Sequence, residues 1–197
     1  MNTHIAFPVN LPASWHQPSA LNVPDPCLKD WLLNSGSLTE RLQAHSRRFA
    51  LRVIGQQASP LSEEEVAHMA LAKASVPSLN TLESKAWQVR EVVLYGDDSP
   101  WVFARSILPE GLCETALSGL GEKPLGQLIF NNNAYQRSSF EISQLPASHP
   151  LLTSLGLSSS YPLWARRSRF FLNSFSMSVA EVFLPGAPAY KYMEPVT

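Results

Sequence analysis

Two alternating segments separated by a short turn constrain this chain more than any other feature: AWQVREVVLY (86–95) and WVFARSIL (101–108), joined by GDDSP. Aromatic and β-branched residues recur with a period of two, and Gly, Asp and Pro supply the reversal, so the pair predicts a β-hairpin. Four more runs carry the same signature: FALRVIGQ (49–56), RSSFEIS (137–143), ARRSRFFLN (165–173) and MSVAEVFLP (177–185). Six strands joined mostly by short connections predict an antiparallel sheet, with the helices gathered at the start and middle of the chain, and hence an α+β domain.

The helical signals are local. Asp25 stands as an N-cap before Pro26, and Leu28, Trp31 and Leu32 fall on one face of a short helix. After a corner at Ser35-Gly36, Ser37 and Glu40 form a capping box that opens LTERLQAHS (38–46), and Ser62 and Glu65 form a second one within SPLSEEEVAHMALAKA (59–74), which precedes a turn at Pro77-Ser78. The glycine-punctuated stretch EGLCETALSGLGEKPLGQLIF (110–130) predicts short helical turns packed across one sheet face. Residues 1–24, rich in Pro, Ser, Asn and Ala, read as an extended arm without chemistry, and 191–197 as a short tail, which leaves 25–190 as the folded domain.

Composition narrows the function classes. The 197 residues are 45% hydrophobic and only 16% charged, enough for one domain with much enclosed surface. A net charge of -1 without a basic stripe argues against nucleic acid, and no apolar run is long enough to span a bilayer. The first residues lack a secretory signal, and Cys27 and Cys113 lie far apart without metal-ligand spacing, so the expected setting is the cytoplasm with both thiols reduced and buried. His4, His16, His45, His68 and His149 show no i, i+4 pairing and read as surface or capping residues. No phosphate-binding loop or nucleophile elbow is present.

The informative residues are charges on apolar strand faces. In MSVAEVFL, Glu181 shares its face with Met177, Val179 and Phe183, so a carboxylate is aimed at a core and must pair with a cation, meet a polar ligand or stay protonated. Arg105 shares a face with Trp101, Phe103 and Ile107. In WQVREVVL, Arg90 and Glu91 point opposite ways; periodicity alone favours Glu91 as the inward one, since its face carries Trp87, Val89, Val93 and Tyr95, but Arg90 shares a face with Val92 and Leu94 and the pattern does not settle it. An inward arginine suits a carboxylate ligand, because its planar fork donates two parallel hydrogen bonds and stays charged. Arg90, Arg105, Arg137, Arg166, Arg167 and Arg169 can equally be solvated or paired across strands.

Seven stretches in register, DWLL (30–33), WQVREVVL (87–94), PWVFARSILP (100–109), KPLGQLIF (123–130), FEIS (140–143), ARRSRF (165–170) and EVFLPGAPAY (181–190), resemble the bacterial chorismate pyruvate-lyases. The resemblance implies a six-stranded antiparallel sheet with helices covering one face and an enclosed pocket. It also implies conversion of chorismate to 4-hydroxybenzoate and pyruvate without a cofactor or metal, the first committed step of ubiquinone biosynthesis. The matching site positions are Arg90 for the ring carboxylate and Glu181 for the hydroxyl end, both catalytic, with Leu125 contributing through its backbone and Leu38 standing where the best-known member has methionine. Chorismate and 4-hydroxybenzoate are then the expected partners of a monomer that touches neither nucleic acid nor membrane. Arg105, or the Arg166–Arg167 pair, is the expected holder of the second carboxylate, and the Leu38 helix with residues 59–74 the expected lid. The same fold also serves as a sensing domain in transcription regulators, but residues 1–24 are too short and too uncharged for a DNA-binding segment.

Overall fold

The computed structural model describes residues 5–75, 87–130, 134–172 and 175–190. The elements are α1 (Pro26–Leu33), α2 (Leu38–Ala44), β1 (Phe49–Ala58), α3 (Glu63–Ser75), β2 (Trp87–Gly96), β3 (Ser99–Pro109), α4 (Glu110–Glu114), α5 (Leu125–Phe130), β4 (Gln136–Arg137), β5 (Glu141–Leu145), α6 (Pro150–Ser154), β6 (Leu163–Leu172) and β7 (Phe175–Phe183), with 3-10 turns at Pro18–Ala20 and Pro188–Tyr190. The turn expected at Pro77-Ser78 and the tail 191–197 lie outside the described residues.

All strand pairs are antiparallel, in the order β1-β2-β3-β7-β6-β4, with β5 also paired to β6. The sheet has seven strands rather than six because RSSFEIS is broken in two. The hydroxyl of Ser138 accepts from the Arg169 amide at 3.0 Å, and the run resumes only at Glu141. β1 runs past Gly55 to Ala58 through a bulge at Val53/Gly55.

Sequence signals at the helix starts translate directly into bonds. Asp25 accepts from the Leu28 amide at 2.8 Å and Ser37 from Glu40 at 3.3 Å, while Ser62 and Glu65 cap each other reciprocally at 3.2 and 2.9 Å. α1 buries Leu28, Trp31 and Leu32, and each such side chain contributes roughly 1.5–3 kcal/mol on burial. Arg41 of α2 reaches back over the Trp31 ring and pairs with Asp30 at 2.6 Å, fixing the α1–α2 corner.

Both sheet faces are covered, not one. Val92, Leu94, Ala104 and Phe183 face α1 and α2, whereas Val93, Phe103, Ala165 and Val182 face α6 and the arm residues Val9, Leu11, Ala13 and Trp15. The arm lies on the domain: His16 bridges to Ile142, and the Phe7 ring occupies the place over Gly55 where a Cβ would come within 2.4 Å of it. Among the described residues no helix is long and apolar enough to cross a membrane.

Candidate active site

On the α1–α2 side of the sheet a cavity opens between the strands, α2 and α5, and Leu38, Arg90, Leu125 and Glu181 all line it. The regular register explains why they meet. Arg90 pairs with Ser106 and Ser106 with Val179, while Glu181 pairs with Ala104 on one side and Arg166 on the other. Two strand spacings of roughly 4.8 Å and two residues of about 3.3 Å put the Arg90 and Glu181 Cα atoms about 12 Å apart. That interval sets the two side chains at separate places along one cavity wall.

Arg90 is 3% exposed, and its guanidinium donates only to neutral acceptors: Gln56 Oε1 and the Gly121 carbonyl at 2.9 Å, and the Lys123 carbonyl at 3.1 Å. Among the described residues no carboxylate forms an ion pair with it. Burial holds its pKa below the usual arginine value, opposed by nearby Cys113. A buried cation without a counter-charge is costly, so this end of the cavity is built to receive an anion. Leu125 opens α5 two residues after Lys123, and α5 meets α2 closely at Gly126, where a Cβ would stand 3.0 Å from the Thr39 hydroxyl.

At the other end Glu181 is paired with a cation: its Oε2 accepts from Arg166 Nε at 2.6 Å. Arg166 Nη1 also donates to the carbonyls of Trp31 and Asn34 at 3.0 Å, so it satisfies the last turn of α1. Glu181 Oε1 accepts from no protein donor among the described residues, and the side chain, 19% exposed, borders the cavity. Arg137, a lining residue that strand alternation could not single out because β4 has only two residues, stacks 4.4 Å over Phe140 and donates to the Ser35 carbonyl at 2.7 Å.

The remaining charges lie on the reverse face. Arg105 binds Glu91 at 2.6 Å and Glu65 at 2.7 Å, while Arg167 binds Glu64 at 2.5 Å and Glu141 at 2.8 Å. Neither Arg105 nor Arg167 is available to a ligand in the cavity, because odd and even residues of a strand face opposite ways. Of the arginines expected at the second carboxylate only Arg166 lines the cavity, and it is already engaged. α3 rests on this reverse face through Glu64 and Glu65, so only α2 of the two expected lid elements borders the cavity.

His68, expected at the surface, is 3% exposed in the reverse-face cluster. Burial, with Arg167 and Arg169 beside it, pushes its imidazole down to about 3. His149 is buried as well, but caps α6 as expected, accepting from the Leu151 amide at 3.2 Å. Cys27 and Cys113 are free and half-buried. No three His, Cys, Asp or Glu side chains gather as a metal site among the described residues.

A sequence profile described as chorismate lyase matches residues 10–193. A protein of Pseudoalteromonas atlantica named "Probable chorismate pyruvate-lyase" is 41% identical over 94% of this chain and 93% of its own length. A protein of the same name from Shewanella amazonensis is 37% identical over 95% of this chain and 96% of its own. Among solved structures, a gene product of Staphylococcus aureus superposes with a TM-score of 0.52 at 13% identity, covering 79% of this chain and 92% of that one. The effector domain of PhnF from Mycobacterium smegmatis gives 0.50 at 13% identity over 76% and 89%. These two likenesses concern the fold alone.

Proposed function

The chain belongs to the chorismate lyase family, and we propose that its cavity removes pyruvate from chorismate to leave 4-hydroxybenzoate, the step that opens ubiquinone biosynthesis. The observation that carries this reading is the buried Arg90, held by neutral acceptors and lining the same cavity as Glu181.

Chorismate bears a carboxylate at C1, an enolpyruvyl ether at C3 and a hydroxyl at C4. Arg90 takes the ring carboxylate through its planar fork, with the Leu125 backbone closing that end. The C4 hydroxyl then donates to Glu181 Oε1, while Arg166 keeps the carboxylate in place through Oε2. Fixing both ends of the ring folds the ether over it, where the hydrogen on C4, cis to the ether oxygen, reaches the enolpyruvyl methylene. In one cyclic step the C4–H and C3–O bonds break and the methylene becomes the methyl group of pyruvate. The ring becomes aromatic, which supplies much of the driving force. Glu181 is thereby an orienting acceptor, and the apolar walls of Val92, Leu94 and Ile129 exclude water.

A monomer in a reducing cytoplasm belongs to the same reading, and the two free thiols suit that setting. The test is incubation of the purified protein with chorismate and EDTA, followed by chromatography with mass detection. Equimolar 4-hydroxybenzoate and pyruvate are expected. Intact chorismate over a folded protein would overturn the lyase reading and leave a ligand-binding role for the cavity.

A further inference from the structure

Thr39 of α2 brings a hydroxyl to the wall of the cavity. The residue is only 5% exposed, yet its Oγ1 neither donates nor accepts a hydrogen bond among the described residues. Its place in the helix explains why. A threonine inside a helix can turn its hydroxyl back to a carbonyl three or four residues earlier. Thr39 is the second residue of α2, after the N-cap Ser37, so no helical turn precedes it, and the Ser35 carbonyl already accepts from Arg137 at 2.7 Å. The nearby Ser37 hydroxyl is engaged as well, accepting from the Glu40 amide at 3.3 Å. A buried hydroxyl without a partner costs free energy, which an acceptor on a ligand in the cavity recovers.

Thr39 stands at the Arg90 end. A Cβ on Gly126 would lie 3.0 Å from the Thr39 hydroxyl, and three residues before Gly126 the Lys123 carbonyl accepts from Arg90 at 3.1 Å. Pro124, Leu125 and Gly126 line the cavity between these two points. We propose, on the basis of the lyase reading above, that the Thr39 hydroxyl donates to the ring carboxylate beside Arg90, as a binding contact common to substrate and product. The donor count fits. Of the five N–H groups of Arg90, three go to Gln56, Gly121 and Lys123, which leaves one on Nε and one on Nη2. A carboxylate has about four lone-pair sites, so it can take both of these and still accept from a hydroxyl. Ser106 and Ser168 also line the cavity, but from strands β3 and β6, whereas Thr39 comes from the helix that meets α5 at Gly126.

The experiment compares the wild type with Thr39→Val, which keeps the shape and removes the hydroxyl, and Thr39→Ser, which keeps the hydroxyl and removes the methyl. Calorimetry reads the affinity for 4-hydroxybenzoate and for benzoate, and urea midpoints are measured without ligand. Loss of a hydrogen bond to a charged group predicts that Thr39→Val weakens both acids by a similar factor, on the order of 10-fold, and raises the chorismate KM in parallel. Thr39→Ser should stay within about threefold of the wild type. The urea midpoint of Thr39→Val should not fall, because the hydroxyl has no partner to lose in the empty protein. Wild-type affinity in Thr39→Val would overturn the proposal. So would a loss for 4-hydroxybenzoate that benzoate does not share, which would put the hydroxyl at the phenol end, or an equal loss in Thr39→Ser, which would make the methyl group the active part. A midpoint that falls along with affinity would likewise replace the contact by a packing role. Binding needs no turnover, so a wild type that binds 4-hydroxybenzoate but leaves chorismate intact would remove the lyase reading alone, while the Thr39 comparison still decides the contact. A wild type that binds neither acid would overturn both.

Discussion

Arg90 and Glu91 stand back to back on β2. The Arg90 guanidinium looks into the cavity, while the Glu91 carboxylate, fully buried on the other side, accepts from Arg105 at 2.6 Å and from the Val9 and Asn10 amides at 2.7 and 3.0 Å. One peptide unit therefore joins the proposed carboxylate-binding residue to the anchor of the N-terminal arm. Removing one partner of a buried pair leaves the other charge uncompensated. Glu91→Ala should cost about 3–5 kcal/mol, read as a lower urea midpoint at unchanged slope. A loss below about 1 kcal/mol would mean that the network does not hold the arm.

Arg90→Ala should weaken chorismate and 4-hydroxybenzoate by a similar factor, on the order of 10- to 100-fold, because both carry the ring carboxylate. Calorimetry with 4-hydroxybenzoate checks this without turnover. Unchanged product affinity would remove Arg90 from the ligand.

Turnover in deuterium oxide, quenched quickly, should release pyruvate with an unlabelled methyl group, because the third methyl hydrogen comes from C4 of chorismate. One deuterium per methyl would instead mean that enolpyruvate leaves and is protonated from solvent or a protein group. Glu181→Gln keeps an acceptor for the C4 hydroxyl and should reduce kcat by less than about 10-fold. A loss on the order of 100-fold would make the carboxylate a proton carrier.

His68 should make stability pH-dependent. Its pKa is pushed down to about 3 in the folded protein, by burial first and then by Arg167 and Arg169, against an ordinary value of 6.5. The imidazole is neutral when folded and gains a proton when unfolded, so its contribution is complete above pH 6.5 and is lost as pH falls toward 3. The cost approaches about 1.4 kcal/mol per pH unit below the upper value. Urea midpoints at pH 7.5 and 5.0 should fall further for the wild type than for His68→Gln, and parallel slopes would place the acid sensitivity elsewhere.

How much of this was legible in the sequence depends on which side of a strand carries information. The β2–β3 hairpin and the capped helix starts were legible, because alternation and capping are local. The facing of Arg90 and Glu91 was not, since Val92 and Val93 are both buried and each face of β2 packs on a core. Only the family resemblance singled out Arg90, and the register then placed it on the same sheet face as Glu181, two strands and two residues away. Arg137 stayed hidden because a two-residue strand has no period. His68 stayed hidden for a different reason. The sheet-facing side of α3 carries Glu64 and Glu65, charged residues that hydropathy reads as a solvent face.

The bonds that close the cavity and the reverse face join distant parts of the chain: Val9 to Glu91 across 82 residues, and Arg166 to the Trp31 carbonyl across 135. Contacts of such separation form only after large loops have closed, which slows folding. During synthesis Arg90 emerges long before Glu181, so a ribosome-bound chain carries a half-built chamber whose arginine faces open water. Binding competence therefore waits for β7, the strand that carries Glu181, to dock between β3 and β6.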